Sequence, residues 1–229
     1  MPPQPTGPDR RSTWNTELHG VLSRGLDAIG RQPDAAELDR WQRLAQLLER
    51  WSERINLTGH RGALAIAERL LLEAAALAAV LPPAARIADL GSGAGIPGLP
   101  IAICRPETGI WLVDSREKRH HFQRAAIREL GLTNAHALRG RAEQLEPVRC
   151  NGVVSQAFAR PDQALVWMRR WVTDSGWLAL ATTAEHAGWT HPDLEWHESA
   201  PYAAPNGPPR ALWIARLRPG TGGANPLNP

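Results

Sequence analysis

Between Asp34 and Ile55 the apolar residues Leu38, Trp41, Leu44, Leu48, Trp51 and Ile55 recur at steps of three and four, which predicts an amphipathic helix. A second helical stretch, rich in Ala and Leu, runs from Ala63 to Val80 and stops before Pro82-Pro83. The period then changes. Ala85-Arg86-Ile87-Ala88 reads as a short buried strand, and strands follow near 110–114, 135–139, 152–156, 176–182, 194–198 and 211–217. Helices are predicted over 116–130, where Phe122, Ala126 and Leu130 share a face, and over 161–171. Strands alternating with helices predict an α/β fold, a doubly wound and mostly parallel sheet with helices on both faces. The last two strands have no helix between them and are expected to close the sheet as an antiparallel hairpin. The expected organisation is a tail over 1–13, an N-terminal helical extension over 14–83, the α/β domain over 84–218 and a second tail over 219–229.

The junction between the first strand and its helix carries the chemistry. Ala88-Asp89-Leu90-Gly91-Ser92-Gly93-Ala94-Gly95-Ile96-Pro97-Gly98 places a carboxylate, four glycines and a proline where a strand hands over to a helix. Gly91, Gly93 and Gly95 let the backbone turn tightly and a ligand approach closely. Pro97 suits the first helical turn, whose N-terminus is expected to face whatever sits on the glycines. Residues 93–98 also spell G-x-G-x-x-G, the dinucleotide fingerprint. Asp114, closing the next strand, offers a carboxylate for the ribose hydroxyls of either cofactor. Asp89, two residues before the first glycine, would repel a pyrophosphate and meet a cationic ligand, which selects S-adenosylmethionine. The competing reading of Asp89 is a helix cap.

Composition adds bounds. A chain of 229 residues fits one domain with an extension. Its formal charge is +3, and its basic residues are arginines apart from Lys118; arginine coding bias accounts for that, while permitting an RNA partner. The charges of helix 116–130 are expected to form a solvated face. Cys104 and Cys150 have no metal or redox spacing, the histidines have no ligand-like company, and no apolar run reaches membrane length, so no metal, no membrane association and a cytoplasmic location are expected.

Several segments together resemble the bacterial small-subunit rRNA guanine-N7 methyltransferase family (RsmG, also called glucose-inhibited division protein B). They are Trp51 to Thr58 with its Asn56-Leu57-Thr58, Asp89 through Pro100, Arg105-Pro106, Asp114-Ser115 with Lys118-Arg119, Gly140 to Glu143, and Val154 through Ala159. The resemblance spans roughly residues 35 to 217 and implies a class I S-adenosylmethionine-dependent methyltransferase acting on N7 of a guanosine in 16S rRNA, with the small ribosomal subunit as partner. It makes Gly91 and Ile96 cofactor contacts, places Ala142 and Glu143 near the adenine, counts Gln156 among the cofactor or substrate contacts, and sets Asn56 and Thr58 toward the active face. Phe158 could stack on a base, and Arg160, four residues beyond Gln156, either supplies the charge that Gln156 lacks or is a surface arginine at a helix start. The chain departs from the family pattern in three places: Gln156 stands where the family usually has Arg, Ala181-Thr182-Thr183 lacks a usual Lys, and Arg69 is followed by Leu70 rather than His.

Guanine N7 presents an in-plane lone pair and no proton, so methylation there needs positioning rather than a general base. The place after strand four reads Ser155-Gln156-Ala157-Phe158, without the Asn/Asp-Pro-Pro-aromatic motif of exocyclic-amine methylation, and neither cysteine suits pyrimidine C5 chemistry. Two other readings of the same residues are a diverged methyltransferase on another RNA or a small molecule, and a non-catalytic RNA-binding protein that depends on S-adenosylmethionine.

Overall fold

A computed structural model describes residues 10–156, 161–183 and 193–218. Four helical segments come first: α1 (Arg10–Ala28), α2 (Ala35–Ser52), α3 (Ala63–Ile66) and, after a π-helical turn over Ala67–Leu71, α4 (Leu72–Val80). Helix α1 adds to the two helices read for the N-terminal extension. It begins inside the predicted tail, and Leu18, Leu22 and Leu26, all buried, give it an apolar stripe at steps of four. Residues 1–9 and 219–229, the rest of the two expected tails, lie outside the described residues. Helix α2 starts where Asp34 accepts the Glu37 N–H at 2.7 Å, and it buries Leu38, Trp41, Leu44 and Leu48 as its spacing predicts.

The α/β part runs β1 (Arg86–Leu90), α5 (Gly98–Cys104), β2 (Gly109–Asp114), α6 (Glu117–Leu130), β3 (Ala135–Arg139), β4 (Cys150–Gln156), α7 (Pro161–Trp171), β5 (Val172–Thr183), β6 (Leu194–Tyr202) and β7 (Arg210–Leu217). The seven strands lie in the order β3-β2-β1-β4-β5-β7-β6. The first five are parallel, and β7 is antiparallel to both β5 and β6. The chain winds outward from β1 in both directions, so the crevice of an open sheet of this kind falls at the carboxyl ends of β1, β2 and β4.

Alternate residues of each strand serve two cores. Ile87, Ile110, Leu112, Val154, Ala179 and Ile214 meet the side packed by α1 to α6. Ala88, Leu90, Val113, Val153, Leu178 and Trp213 meet the side packed by α7. The cover is lopsided because β3 connects to β4 through turns rather than a helix. The helical extension is tied down at both ends: Trp51 stacks edge-on against Phe122 of α6 at 5.6 Å, and Arg105 donates to the carbonyls of Ala78, Leu81 and Pro82 at the end of α4.

Candidate functional site

The chain leaves β1 at Leu90 and is caught at once by its neighbour: the N–H groups of Gly91 and Ser92 both donate to the Val113 carbonyl of β2, at 2.9 and 3.1 Å. Gly91, Gly93 and Gly95 have φ of 72°, 55° and 73°, the left-handed region where a side chain is strained. A Cβ on Gly95 would also lie 2.5 Å from Leu99.

Asp114 closes β2 and is 5 % exposed. Its Oδ2 accepts the Gly93 N–H at 2.9 Å and its Oδ1 the Arg116 N–H at 2.8 Å, with the Arg119 guanidinium 3.5 Å away. One carboxylate thus fixes both the glycine loop and the start of α6. From the other side, Gln123 of α6, fully buried, donates through Nε2 to the Ser92 hydroxyl and to the Gly93 carbonyl, both at 2.9 Å. Nothing in the sequence marked Gln123.

Beside the loop lies a cavity of about 440 Å³ lined by Gly91, Asp114, Ala142, Glu143 and Trp167, with Arg116, Arg119 and Arg141 at its wall. The Ala142–Leu145 turn is held by α7 and the residue closing it: Trp171 Nε1 donates to the Ala142 carbonyl at 3.0 Å, and Arg170 donates to the carbonyls of Glu143 and Leu145. Glu143 itself faces Arg141 at 3.7 Å. Four expected site residues, Gly91, Asp114, Ala142 and Glu143, therefore share one cavity, and Gly93 is hydrogen-bonded to its carboxylate. Trp167 joins them; its sequence signal was an indole on an amphipathic helix, shared with several other tryptophans.

Other expected residues lie elsewhere. Asp89 is 1 % exposed, and its Oδ2 accepts the Gly98 N–H at 2.8 Å, so the carboxylate caps the start of α5 instead of facing the cavity. The Gly98 N–H at the start of that helix is thus taken by Asp89. A Cβ on Gly98 would lie 2.8 Å from Asp89 Oδ2, so only glycine lets the carboxylate this close. Burial, opposed by the Gly98 hydrogen bond and helped by Asp114, pushes the Asp89 pKa up to about 7. Ile96 is half-buried against the core. Gln156 at the end of β4 points its amide to Glu73 of α4 at 3.3 Å, and Arg210 of β7 pairs with the other oxygen of Glu73 at 3.4 Å. The cation expected at 156 is missing, and the guanidinium beside Glu73 comes from Arg210. Asn56 is exposed, and Thr58 Oγ1 accepts the His60 N–H at 3.1 Å. Phe158 and Arg160 lie outside the described residues. Thr182 lies in β5 opposite Ala211.

The cavity fits S-adenosylmethionine on three observations. Its wall includes the backbone of Gly91, whose φ of 72° would strain any side chain. Its one deeply buried carboxylate, Asp114, keeps lone pairs beyond the two N–H groups it accepts, as ribose hydroxyls require. Its rim carries an indole able to lie against a purine.

The model of a protein family described as rRNA small subunit methyltransferase G matches residues 37–197. Proteins called ribosomal RNA small subunit methyltransferase G are 38 % identical over 145 residues in Azoarcus sp. (strain BH72), covering 63 % of this chain and 68 % of that one. In Neisseria gonorrhoeae (strain NCCP11945) the identity is 36 % over 162 residues, covering 69 % and 77 %. Among solved structures, a predicted O-methyltransferase, Atu636 from Agrobacterium tumefaciens, superposes with a TM-score of 0.51 at 17 % identity, covering 62 % of this chain and 79 % of that one. EvdMO1 gives 0.51 at 18 % identity, covering 77 % and 47 %. At those identities the likeness shows the fold, the Rossmann-like arrangement expected from the sequence.

Proposed function

The chain belongs to the rRNA small subunit methyltransferase G family, and from that premise we propose that it transfers a methyl group from S-adenosylmethionine to N7 of a guanosine in 16S rRNA. The observation that carries the reading is the cavity in which Gly91, Asp114, Ala142 and Glu143 converge. Asp114 would hold the ribose hydroxyls, and the turn clamped by Arg170 and Trp171 would border the adenine with Trp167 opposite. When bound, S-adenosylmethionine supplies a methyl group on a positively charged sulfur, electrophilic enough for a nitrogen lone pair to attack.

The chain's own residues then have to align and to exclude water. An acceptor nitrogen without a proton leaves none to remove, and the residues lining the cavity include neither histidine nor cysteine. The carboxylates present, Asp114 and Glu143, are occupied by backbone N–H groups or by arginine, which suits holding a ligand. On this reading the reaction takes place in the cytoplasm, on the small ribosomal subunit. Among the described residues no helix is long and apolar enough to cross a membrane.

The test is incubation with labelled S-adenosylmethionine and small subunits that lack the modification, followed by nucleoside digestion. Label in 7-methylguanosine from 16S rRNA is expected. Label in another nucleoside, or none despite measured cofactor binding, refutes the proposal.

A further inference from the structure

We propose that the groove between α1, the π-helical turn and the β6–β7 loop holds the backbone of the RNA strand that presents the methyl acceptor, with Arg24 and Arg69 as its phosphate contacts. This rests on the reading of the protein as an rRNA methyltransferase and adds the surface by which the RNA is held.

The groove has a volume of about 750 Å³, larger than the cofactor cavity, and neither cavity shares a lining residue with the other. Its position follows from the sheet. Arg210, on its wall, stands opposite Thr183 at the carboxyl end of β5, and Gln156, at the carboxyl end of β4, reaches Glu73 on the same wall. Strand β4 pairs directly with β1, whose carboxyl end carries the glycine loop. Groove and cofactor cavity therefore open along one edge of the sheet, on either side of β4, and a strand lying in the groove can deliver a base toward the cofactor.

The charge is right for a nucleic-acid backbone. Arg24 and Arg69 are exposed, and neither makes an ion pair among the described residues. Glu73 is 13 % exposed in its side chain and already balanced by Arg210, which leaves Glu68 as the exposed carboxylate of the wall. The walls are also built from irregular backbone. Arg69 sits in the π-helical turn, an irregularity enriched at functional sites. Across from it, Asn206 in the β6–β7 loop has φ of 61°, a left-handed conformation tolerated where the surroundings hold it. Positively charged grooves that track the backbone are how proteins hold single-stranded RNA.

Filter binding of protein-free 16S rRNA tests this with the full chain. Each phosphate contact multiplies single-strand affinity by roughly five at 0.1 M monovalent salt, so the Arg24→Ala/Arg69→Ala double variant should bind about 25-fold more weakly. The slope of log affinity against log salt should fall by about 1.4. A matched pair on α6, Arg124→Ala/Arg128→Ala, removes two exposed arginines outside the groove and should keep the wild-type RNA affinity. Calorimetric affinity for S-adenosylmethionine should be the same in all three proteins, which shows that each is folded. An unchanged RNA affinity and slope in the groove pair, an equal loss in the α6 pair, or a wild-type protein that binds no 16S rRNA would overturn the proposal. A wild-type protein that binds through Arg24 and Arg69 but transfers no methyl group would instead refute the functional reading and leave the groove standing.

Discussion

Replacing Gln123 by methionine should weaken cofactor binding from a position with no place in the cavity wall. The side chain is fully buried in α6, and its amide reaches across to Ser92 and Gly93 with two hydrogen bonds of 2.9 Å. Methionine nearly conserves volume, so the packing cost is small. Each lost neutral hydrogen bond removes about 1 kcal/mol net. Ser92 is 2 % exposed, so its hydroxyl is left without this donor in a place where water does not readily replace it. Against this stands Gln123 Oε1, which has no partner among the described residues, and whose removal returns about 1 kcal/mol. The net loss is therefore about 1–2 kcal/mol, concentrated in the glycine loop.

Titration calorimetry with S-adenosylmethionine reads the functional part: about 1.4 kcal/mol of lost preorganisation is a tenfold rise in Kd. Thermal unfolding reads the structural part, a drop of about 2–4 °C per kcal/mol for a chain of this size. Gln123→Glu is the harsher variant, since a carboxylate cannot donate to the Gly93 carbonyl and is placed where no water reaches it. If Gln123→Met has the wild-type Kd and melting temperature, the loop is held by its glycines and Asp114 alone and the reasoning fails.

Asp114→Asn removes the charge that gathers Gly93 N–H, Arg116 N–H and the Arg119 guanidinium; charge-assisted bonds are worth about 1.5–3 kcal/mol, so calorimetry should show cofactor affinity falling at least tenfold, and an unchanged Kd would remove Asp114 from the site. Trp167→Ala should raise the cofactor Kd about tenfold through loss of about 1–1.5 kcal/mol of ring stacking, with Trp167→Phe recovering much of it; equal affinities of the two variants would place the indole off the purine. Asp89 carries a pH signature: its folded pKa of about 7 lies above the ordinary value of 3.8, so the stability contributed by its protonated form is full below about pH 4 and is lost as pH rises through about 7. The full swing is of the order of 4 kcal/mol, and denaturant unfolding between pH 5 and pH 8 should be visibly flatter for Asp89→Asn than for the wild type; parallel pH curves would show that Asp89 does not titrate there.

What could be read in the sequence was whatever the backbone imposes locally. The glycines at 91, 93 and 95 had to turn because each holds a positive φ, and Asp114 had to lie beside them because β2 is β1's parallel neighbour and ends where it ends. Helix α1 was equally legible at Leu18, Leu22 and Leu26, which lie inside the expected helical extension and repeat at steps of four. Asp89 shows the limit of motif reasoning. A carboxylate two residues before a glycine loop has two uses, a charge for the ligand or an acceptor for the helix, and residue order does not choose between them. The choice was made by Gly98, nine positions on, whose missing side chain lets its N–H come within 2.8 Å of the carboxylate.

The parts that were not legible all depend on packing between elements distant in the chain. Gln123 occupies a core-facing position of α6 where an apolar residue is the default, and its purpose exists only once α6 lies over the β1 loop. Likewise Gln156, Glu73 and Arg210 come from β4, α4 and β7, and no spacing predicts that they meet. Seen in sequence, Gln156 is a lost charge. Seen in the fold, it donates to a half-buried carboxylate whose countercharge is the Arg210 guanidinium on β7. Restoring an arginine at 156 would therefore put two guanidinium groups beside one carboxylate, a relation that position-by-position comparison does not reveal.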